Sequence, residues 1–516
     1  MKHKLLALTV LAAAILSGCY GNCGKDGKKY KIKDGVIVFN EPEPAAGQQD
    51  MLQFAAEPID TVRIGFIGLG MRGPSAVSRF THIDGTRTVA LCDLEEDRVK
   101  KSQDILKSAG KPAAAEYFGE ESWKRLCERD DINLVYICTP WDSHVEMSVY
   151  AMQHGKHVAV EVPAATSVAE CWQLVDVSEQ TRRHCMMLEN CVYDFYELTT
   201  LNMVQQGLFG EVLHTEGSYI HNLSDFWDKY HDNWRLAFDQ AHAGDVYATH
   251  GLGPDCQVLG IHRGDRMDYL VSMATISVVG LEIAKKNMGA ETFANGDQTS
   301  TMIHTAKGKT ILLQHNVYTP RPYDRMYQVV GTKGYAEKYP RPGFAFEPEQ
   351  INGDVDFENL SAHTFVSGDV YKELMKKYQS PIVKDIEEKA KSVGGHGGMD
   401  FIMDYRLVWC LRNGKPLDMD VYDAAEWSCI GDLSAASIEN GSKPVLVPDF
   451  TAANGIRFRD IATRNSRLLR ISAIEDKRQF LINIIKRFQK RIRKKDGDKP
   501  SFLVGAEGVE PPTLCL

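Results

Sequence analysis

The chain has 516 residues, 69 acidic against 60 basic side chains, and a formal net charge of −9. That length exceeds what one hydrophobic core fills, so two domains with appendages are expected. The acidic balance points away from a nucleic-acid partner.

In chain order, MKHKLLALTVLAAAILSGC opens with a basic stretch and one apolar run from Leu5 to Leu16, too short to span a bilayer as a mature helix. It reads as an export signal over 1–18. Leu16-Ser17-Gly18-Cys19 resembles a bacterial lipobox, which implies cleavage before Cys19, lipidation of that cysteine, and attachment to an envelope membrane through the lipid alone. The twelve cysteines are scattered, and Cys92, Cys138 and Cys185 fall in apolar strand-like runs, so buried thiols are expected in place of disulfides. A polar stretch rich in Gly, Lys and Pro over 19–60 reads as a tether.

From Thr61 the pattern becomes strand, turn, helix. VRIGFIGLG, TVALCD, LVYICTP, HVAVEVP and HCMMLEN are apolar strands, with helix-like stretches from Glu95 to Ala109, His144 to His154 and Val168 to Thr181. Such alternation predicts an α/β domain with a doubly wound parallel sheet over 61–189. Past Asn190 the segments GEVLHTEGSYIH, DYLVSMATIS, QTSTMIHTAKGKTILLQHNV and YDRMYQVVGTKGYAEKY alternate as strands with one covered face, turning at sites such as Lys307-Gly308-Lys309. An α+β domain with a mostly antiparallel open sheet is therefore expected over 190–455. Helices are expected from Met399 to Arg412 and from Val421 to Asn440. The basic segment 456–516 reads as a tail outside the fold.

Gly68-Leu69-Gly70-Met71-Arg72-Gly73 closes the first strand of the parallel set and opens a helix, and Asp93 ends the next strand twenty residues after Gly73. The glycines suit a tight turn, close approach of the backbone to a pyrophosphate, and helix packing; Asp93 is placed for the ribose hydroxyls, which favours NAD over NADP. Ligands of open α/β sheets bind at the carboxyl ends of the strands, where Trp141, His144, Glu161, Val162 and Asn190 fall. His214 with His221, and His242 with His250, lack a convincing metal-ligand spacing with carboxylate or cysteine partners, so no metal is expected.

The motifs Thr139-Pro140 with His144, and Gly155-Lys156-His157-Val158 with Glu161 and Pro163, resemble the superfamily of glucose–fructose oxidoreductase, inositol dehydrogenase and rhizopine-catabolism proteins from about Thr61 to Asp449. Dehydrogenases of that superfamily carry lysine where this chain has Val162, and an aspartate and a histidine where it has Ala248 and Leu252. A dehydrogenase built on that relay is therefore not expected. The remaining set comprises EVP, Asn233-Trp234-Arg235, YATHGLGP from Tyr247, PRPYDR from Pro320, and VGGHGGMD from Val393. It resembles glycoside hydrolase family 109, whose characterised activity is α-N-acetylgalactosaminidase with tightly bound NAD.

That resemblance implies a glycan partner ending in α-N-acetylgalactosamine. It also implies a redox-neutral reaction of oxidation at C3, elimination, water addition and re-reduction. His396 matches the acid–base histidine of the glycine-rich loop. Tyr247 and His250 flank the vacated relay positions and are the catalytic candidates for the proton transfers at C2 and C3, with a tyrosine base at C3 favoured by the nicotinamide cation and the division between the two left open; Tyr219, Arg235 and Tyr323 join them in binding the sugar. The export signal agrees with this, because a cofactor recycled within each turnover needs no outside supply. Two other readings stay open: an exported sugar dehydrogenase or oxidoreductase, and a non-catalytic lipid-anchored sugar-binding protein. A homo-oligomer is also left open.

Overall fold

The computed structural model describes residues 29–43, 48–351, 361–452 and 454. The export segment with Cys19, and the basic tail, lie outside the described residues.

The first finding corrects the tether. Strands β1 (Tyr30–Lys33) and β2 (Val36–Phe39) form an antiparallel hairpin, and β2 pairs with a strand near the other end of the fold, Ile37 facing Val445. Ile37 and Phe39 are buried on one side of VIVF, and Met51 and Leu52 are buried as well. Burial of these four apolar side chains makes a free linker unfavourable.

Six strands follow: β3 (Val62–Ile67), β4 (Thr86–Asp93), β5 (Ala115–Phe118), β6 (Leu134–Ile137), β7 (His157–Val160) and β8 (Cys185–Met187). They form one parallel sheet in the order β5-β4-β3-β6-β7-β8, with helices at Gly73–Phe80, Glu96–Ser108, His144–Gln153 and Val168–Thr181 between them. β6, β7 and β8 are buried at every position, as strands covered by helices on both faces must be. The strand order reverses between β3 and β6, and that switch point is where such sheets bind nucleotides.

The second sheet adds β9 (Val212–Ile220), β10 (Met267–Ala274), β11 (Thr299–Thr305), β12 (Thr310–Asn316), β13 (Asp324–Gly331), β14 (Gly334–Glu337), β15 (Gly343–Phe346) and β16 (Val445–Leu446). Its order is β1-β2-β16-β10-β11-β12-β9-β13-β14-β15, antiparallel throughout except where β12 meets β9 and β16 meets β2. β11 and β12 alternate buried with less buried residues, the signature of one covered face. The fold is thus α/β in its first part and α+β in its second.

On the covered side, the helix Thr249–Leu259 crosses β9 very closely. A Cβ on Gly251 would lie 2.4 Å from the backbone nitrogen of Ser218, so only glycine permits the crossing. The helix Met399–Asn413 follows the glycine-rich loop, and the stretch expected as one helix from Val421 divides at Cys429 into Val421–Ser428 and Ile430–Glu439. Every described cysteine is a free thiol, and all but Cys138 are buried.

Candidate active site

Gly68 follows β3 with φ +87° and donates its N–H to the Cys92 carbonyl at 2.9 Å. A Cβ there would lie 2.6 Å from the Cys138 carbonyl carbon, and one on Gly73 would lie 2.0 Å from the Gly68 oxygen. Gly70 differs, since a Cβ on it would meet nothing nearer than Arg98 Nη1 at 3.8 Å. Space beside that backbone, at the start of the helix Gly73–Phe80, fits a dinucleotide pyrophosphate. Met71 stands exposed at the loop's tip. Asp93 accepts the Leu69 N–H at 2.6 Å and the Glu95 N–H at 3.0 Å, and pairs with Arg98 at 3.3 Å. It therefore shapes the glycine loop in addition to standing where a ribose would be bound.

Arg72, from the same loop, reaches away from it to Glu161 at 2.9 Å and to Asp400 at 3.3 Å. Glu161 directly follows β7, and Val162 beside it is buried. Trp141 is also buried, stacked on Tyr247 at 5.3 Å and edge-on to Trp234 and Phe238, so its ring belongs to the second domain's aromatic cluster. His144 requires a correction. It is fully buried, and its two ring nitrogens meet the carbonyls of Pro163 at 2.7 Å and Thr139 at 2.8 Å. Burial pushes its proton affinity down. It braces two strand-end loops and offers no ring nitrogen to a cofactor.

Two histidines converge near the strand ends, each with a carboxylate against Nδ1. His250 comes from the second position of the helix Thr249–Leu259, and its Nδ1 meets Glu189 Oε1 at 2.7 Å. Glu189 is fully buried; Oε1 also accepts the Cys191 N–H at 3.0 Å, and Oε2 has no partner. Burial works against the charge on Glu189, but His250, the Cys191 N–H and the Arg325 guanidinium hold its carboxyl below the usual range. Burial also pushes His250 down, with Glu189 opposing. In that contact the Glu189 carboxylate accepts the His250 Nδ1–H hydrogen bond, which leaves the Nε2 lone pair of His250 free.

His396 sits on the glycine-rich loop with φ +46°, its side chain 47% exposed, and Nδ1 lies 3.0 Å from Asp400 Oδ2. Asp400 also accepts Asn190 Nδ2 at 2.6 Å and faces Arg72 and, at 3.6 Å, Arg79. Burial raises the Asp400 carboxyl, but the His396 hydrogen bond and the two guanidinium charges hold it well below the ordinary carboxylate range. Asn190 thus acts on the second domain's loop from the end of the parallel sheet.

The sugar-side residues pack as an aromatic cage. The Arg235 guanidinium lies over the rings of Tyr247 at 4.6 Å, Trp141 at 4.9 Å, Tyr230 at 5.6 Å and Tyr219 at 5.9 Å. Its Nη1 donates to Tyr230 Oη at 3.1 Å, while Nε has no partner. Tyr219 hydrogen-bonds His221 at 3.0 Å, and Tyr323 is exposed beside His221. Burial pushes the Tyr247 phenol well above the ordinary range, and the Arg235 guanidinium opposes this. Ala248 and Leu252, at the vacated relay positions, are buried and apolar.

Glu189, Cys191 and His250 offer donor atoms within 4.8 Å of one another. The Cys191 thiol among them faces the Arg325 guanidinium.

Glu189, Asp400 and Arg325 were not singled out from the sequence. Signals for all three were present, since Glu189 precedes Asn190, Arg325 closes PRPYDR and Asp400 closes the VGGHGGMD stretch, but only the fold shows what each touches.

A glycine cradle at a parallel-sheet switch point, facing histidines from a second domain, defines a nicotinamide-dependent oxidoreductase fold. Residues 62–189 match the oxidoreductase family with an NAD-binding Rossmann fold. Residues 193–457 match the C-terminal domain of glycosyl hydrolase 109. A glycosyl hydrolase family 109 protein from Bacteroides thetaiotaomicron is 60% identical over 453 residues, covering 87% of this chain and 96% of that one. Another from Porphyromonas gingivalis is 60% identical over 423 residues, covering 81% and 90%. The chain belongs to glycoside hydrolase family 109. Among solved structures, a levoglucosan dehydrogenase in complex with NADH shares the fold at TM-score 0.57 and 17% identity, covering 75% of this chain and all of that one. A scyllo-inositol dehydrogenase from Lactobacillus casei does so at TM-score 0.53 and 14% identity, covering 76% and 99%.

Proposed function

We propose that this glycosidase releases terminal α-linked N-acetylgalactosamine by a redox-neutral route with tightly bound NAD, as an exported protein anchored by lipid on Cys19. The observation that carries the reaction is the replacement of a dehydrogenase relay: Ala248 and Leu252 are apolar, while His250 and His396 each hold Nδ1 against a buried carboxylate beside the glycine cradle. Bound nicotinamide would supply reversible hydride transfer at the sugar C3, and a C3 carbonyl makes the C2 hydrogen acidic. His250 Nε2 then takes the C2 proton and gives one back to C2 when water adds across the double bond. His396 gives a proton to the glycosidic oxygen as the bond to C1 breaks by elimination, and afterwards takes one from the water that adds at C1. Tyr247 takes the C3 hydroxyl proton as the hydride leaves, which the positive charge of a bound nicotinamide would favour, and returns it on re-reduction; Tyr219, Arg235 and Tyr323 hold the remaining polar groups of the sugar. This differs from hydrolysis by two carboxylates, to which NAD-dependent glycosidases are exceptions.

NMR of the sugar released from an aryl α-N-acetylgalactosaminide in D₂O tests the route. Deuterium at C2 is the expected result. Release without deuterium favours direct hydrolysis, and no release favours an exported sugar dehydrogenase. The anchoring reading rests on the first nineteen residues; among the described residues no helix is long and apolar enough to cross a membrane. Incorporation of labelled palmitate, lost in Cys19→Ser, is the expected outcome for the lipid anchor.

A further inference from the structure

We propose that Glu189 is the positioning residue that makes His250 the base at C2, a role resting on the reaction proposed above. Glu189 lies two residues beyond β8, at the C-terminal end of the parallel sheet, yet acts on a side chain of the second domain. By accepting the Nδ1 proton at 2.7 Å it selects one imidazole tautomer and fixes the ring's rotation, which commits Nε2 to the substrate. Its negative charge is already in place when His250 takes up a proton, so the imidazolium forms without reorganisation around it.

The local sequence makes room for the contact. A Cβ on Gly253 would lie 2.9 Å from Glu189 Cγ and 3.1 Å from Trp427, so the second glycine of HGLGP admits the glutamate side chain to the helix. The first, Gly251, brings the same helix onto β9, which sets the His250 ring 5.3 Å from that of Tyr219. The groups facing His250 are Tyr219, Tyr247, Glu189, and the charges of Arg325 and His396. Both latter groups disfavour an imidazolium when charged, and Glu189 is the anion that offsets them.

The test compares Glu189→Gln and Glu189→Asp in the full chain loaded with NAD, with an aryl α-N-acetylgalactosaminide as substrate. Turnover in Glu189→Gln is expected to fall about 100-fold with KM within about threefold, and Glu189→Asp to recover about tenfold of that. The acid limb of turnover should move to lower pH in Glu189→Gln, since the charge favouring imidazolium is gone. Nitrogen-15 spectra of labelled histidine, with His250 assigned through His250→Asn, should show Nδ1 protonated in the parent and a tautomer mixture in Glu189→Gln. Unchanged turnover in Glu189→Gln, equal losses in both variants with an unmoved acid limb, or an Nε2-protonated His250 in the parent would each overturn the assignment. If the parent incorporates no deuterium at C2, the proposed reaction fails; the tautomer spectra still decide whether Glu189 positions His250.

Discussion

The two histidines of the site share a hydrogen-bond pattern and differ in almost everything else. His250 is buried on a helix that glycine lets press against a strand, and its carboxylate partner comes from the end of the parallel sheet. His396 is half exposed on a loop whose Gly394, Gly395, Gly397 and Gly398 all have positive φ, and its partner lies one helical turn further along its own chain. The first arrangement is suited to a proton held against one fixed carbon, the second to a leaving group whose size varies with the glycan. Rigid placement and adjustable placement are thus separated between two elements of one site.

The largest effect that would break this comparison is expected at His250. Replacing it with alanine should lower turnover by at least about 10³-fold for substrates with good and poor leaving groups alike, because both need the C2 proton removed. Cofactor binding should be retained, which the NAD released on denaturing the purified variant would report. A loss confined to poor leaving groups would exchange the roles assigned to the two histidines.

Removal of His396 should discriminate. His396→Ala is expected to slow a methyl or glycan α-N-acetylgalactosaminide by about 10³-fold and an aryl glycoside with an acidic phenol by only about tenfold, since both lose the base for water addition and only the former also needs a proton on the departing oxygen. Steady-state rates over a series of phenols would check it through the slope against leaving-group acidity. Equal losses across the series would count against an acid role.

Asp400 connects the comparison to stability. It faces Arg72 and Arg79, and removing one partner from such a buried network costs about 3 kcal/mol. Its folded carboxyl is held below its unfolded value, so it contributes fully above about pH 5 and loses that contribution as pH falls through the acid range. Asp400→Asn should therefore be markedly less stable than the parent at pH 7 and closer to it near pH 3, measured by urea unfolding at the two values.

Much of this was legible from local pattern. Apolar runs separated by helical stretches specify the parallel sheet, and the glycine spacing with Asp93 specifies its nucleotide end, because each depends on residues near one another in the chain. The parts that escaped depend on long-range contact. YKIK and VIVF are too short and too polar in setting to be distinguished from a tether until Val445 pairs with Ile37. His144 reads as a ligand until the carbonyls of Thr139 and Pro163 close on both nitrogens. Glu189 and His250 are 61 residues apart, and nothing in either stretch announces the other.

The smallest expected effects concern glycines and sharpen the comparison most directly. Gly253→Ala introduces a Cβ that must displace Glu189 Cγ inside a packed helix, while Gly397→Ala meets no atom within 4 Å and costs only the strain of φ +76°. Backbone strain of that kind is about 1 kcal/mol, and an exposed loop can absorb part of it by moving. Gly253→Ala should then reduce turnover about tenfold on every substrate by shifting the carboxylate that holds His250. Gly397→Ala should change only the leaving-group dependence, by about twofold, and leave deuterium incorporation at C2 as it is in the parent. If Gly397→Ala proved the more damaging on activated aryl substrates, the loop would be part of the fixed machinery, and the separation between rigid and adjustable histidines would not hold.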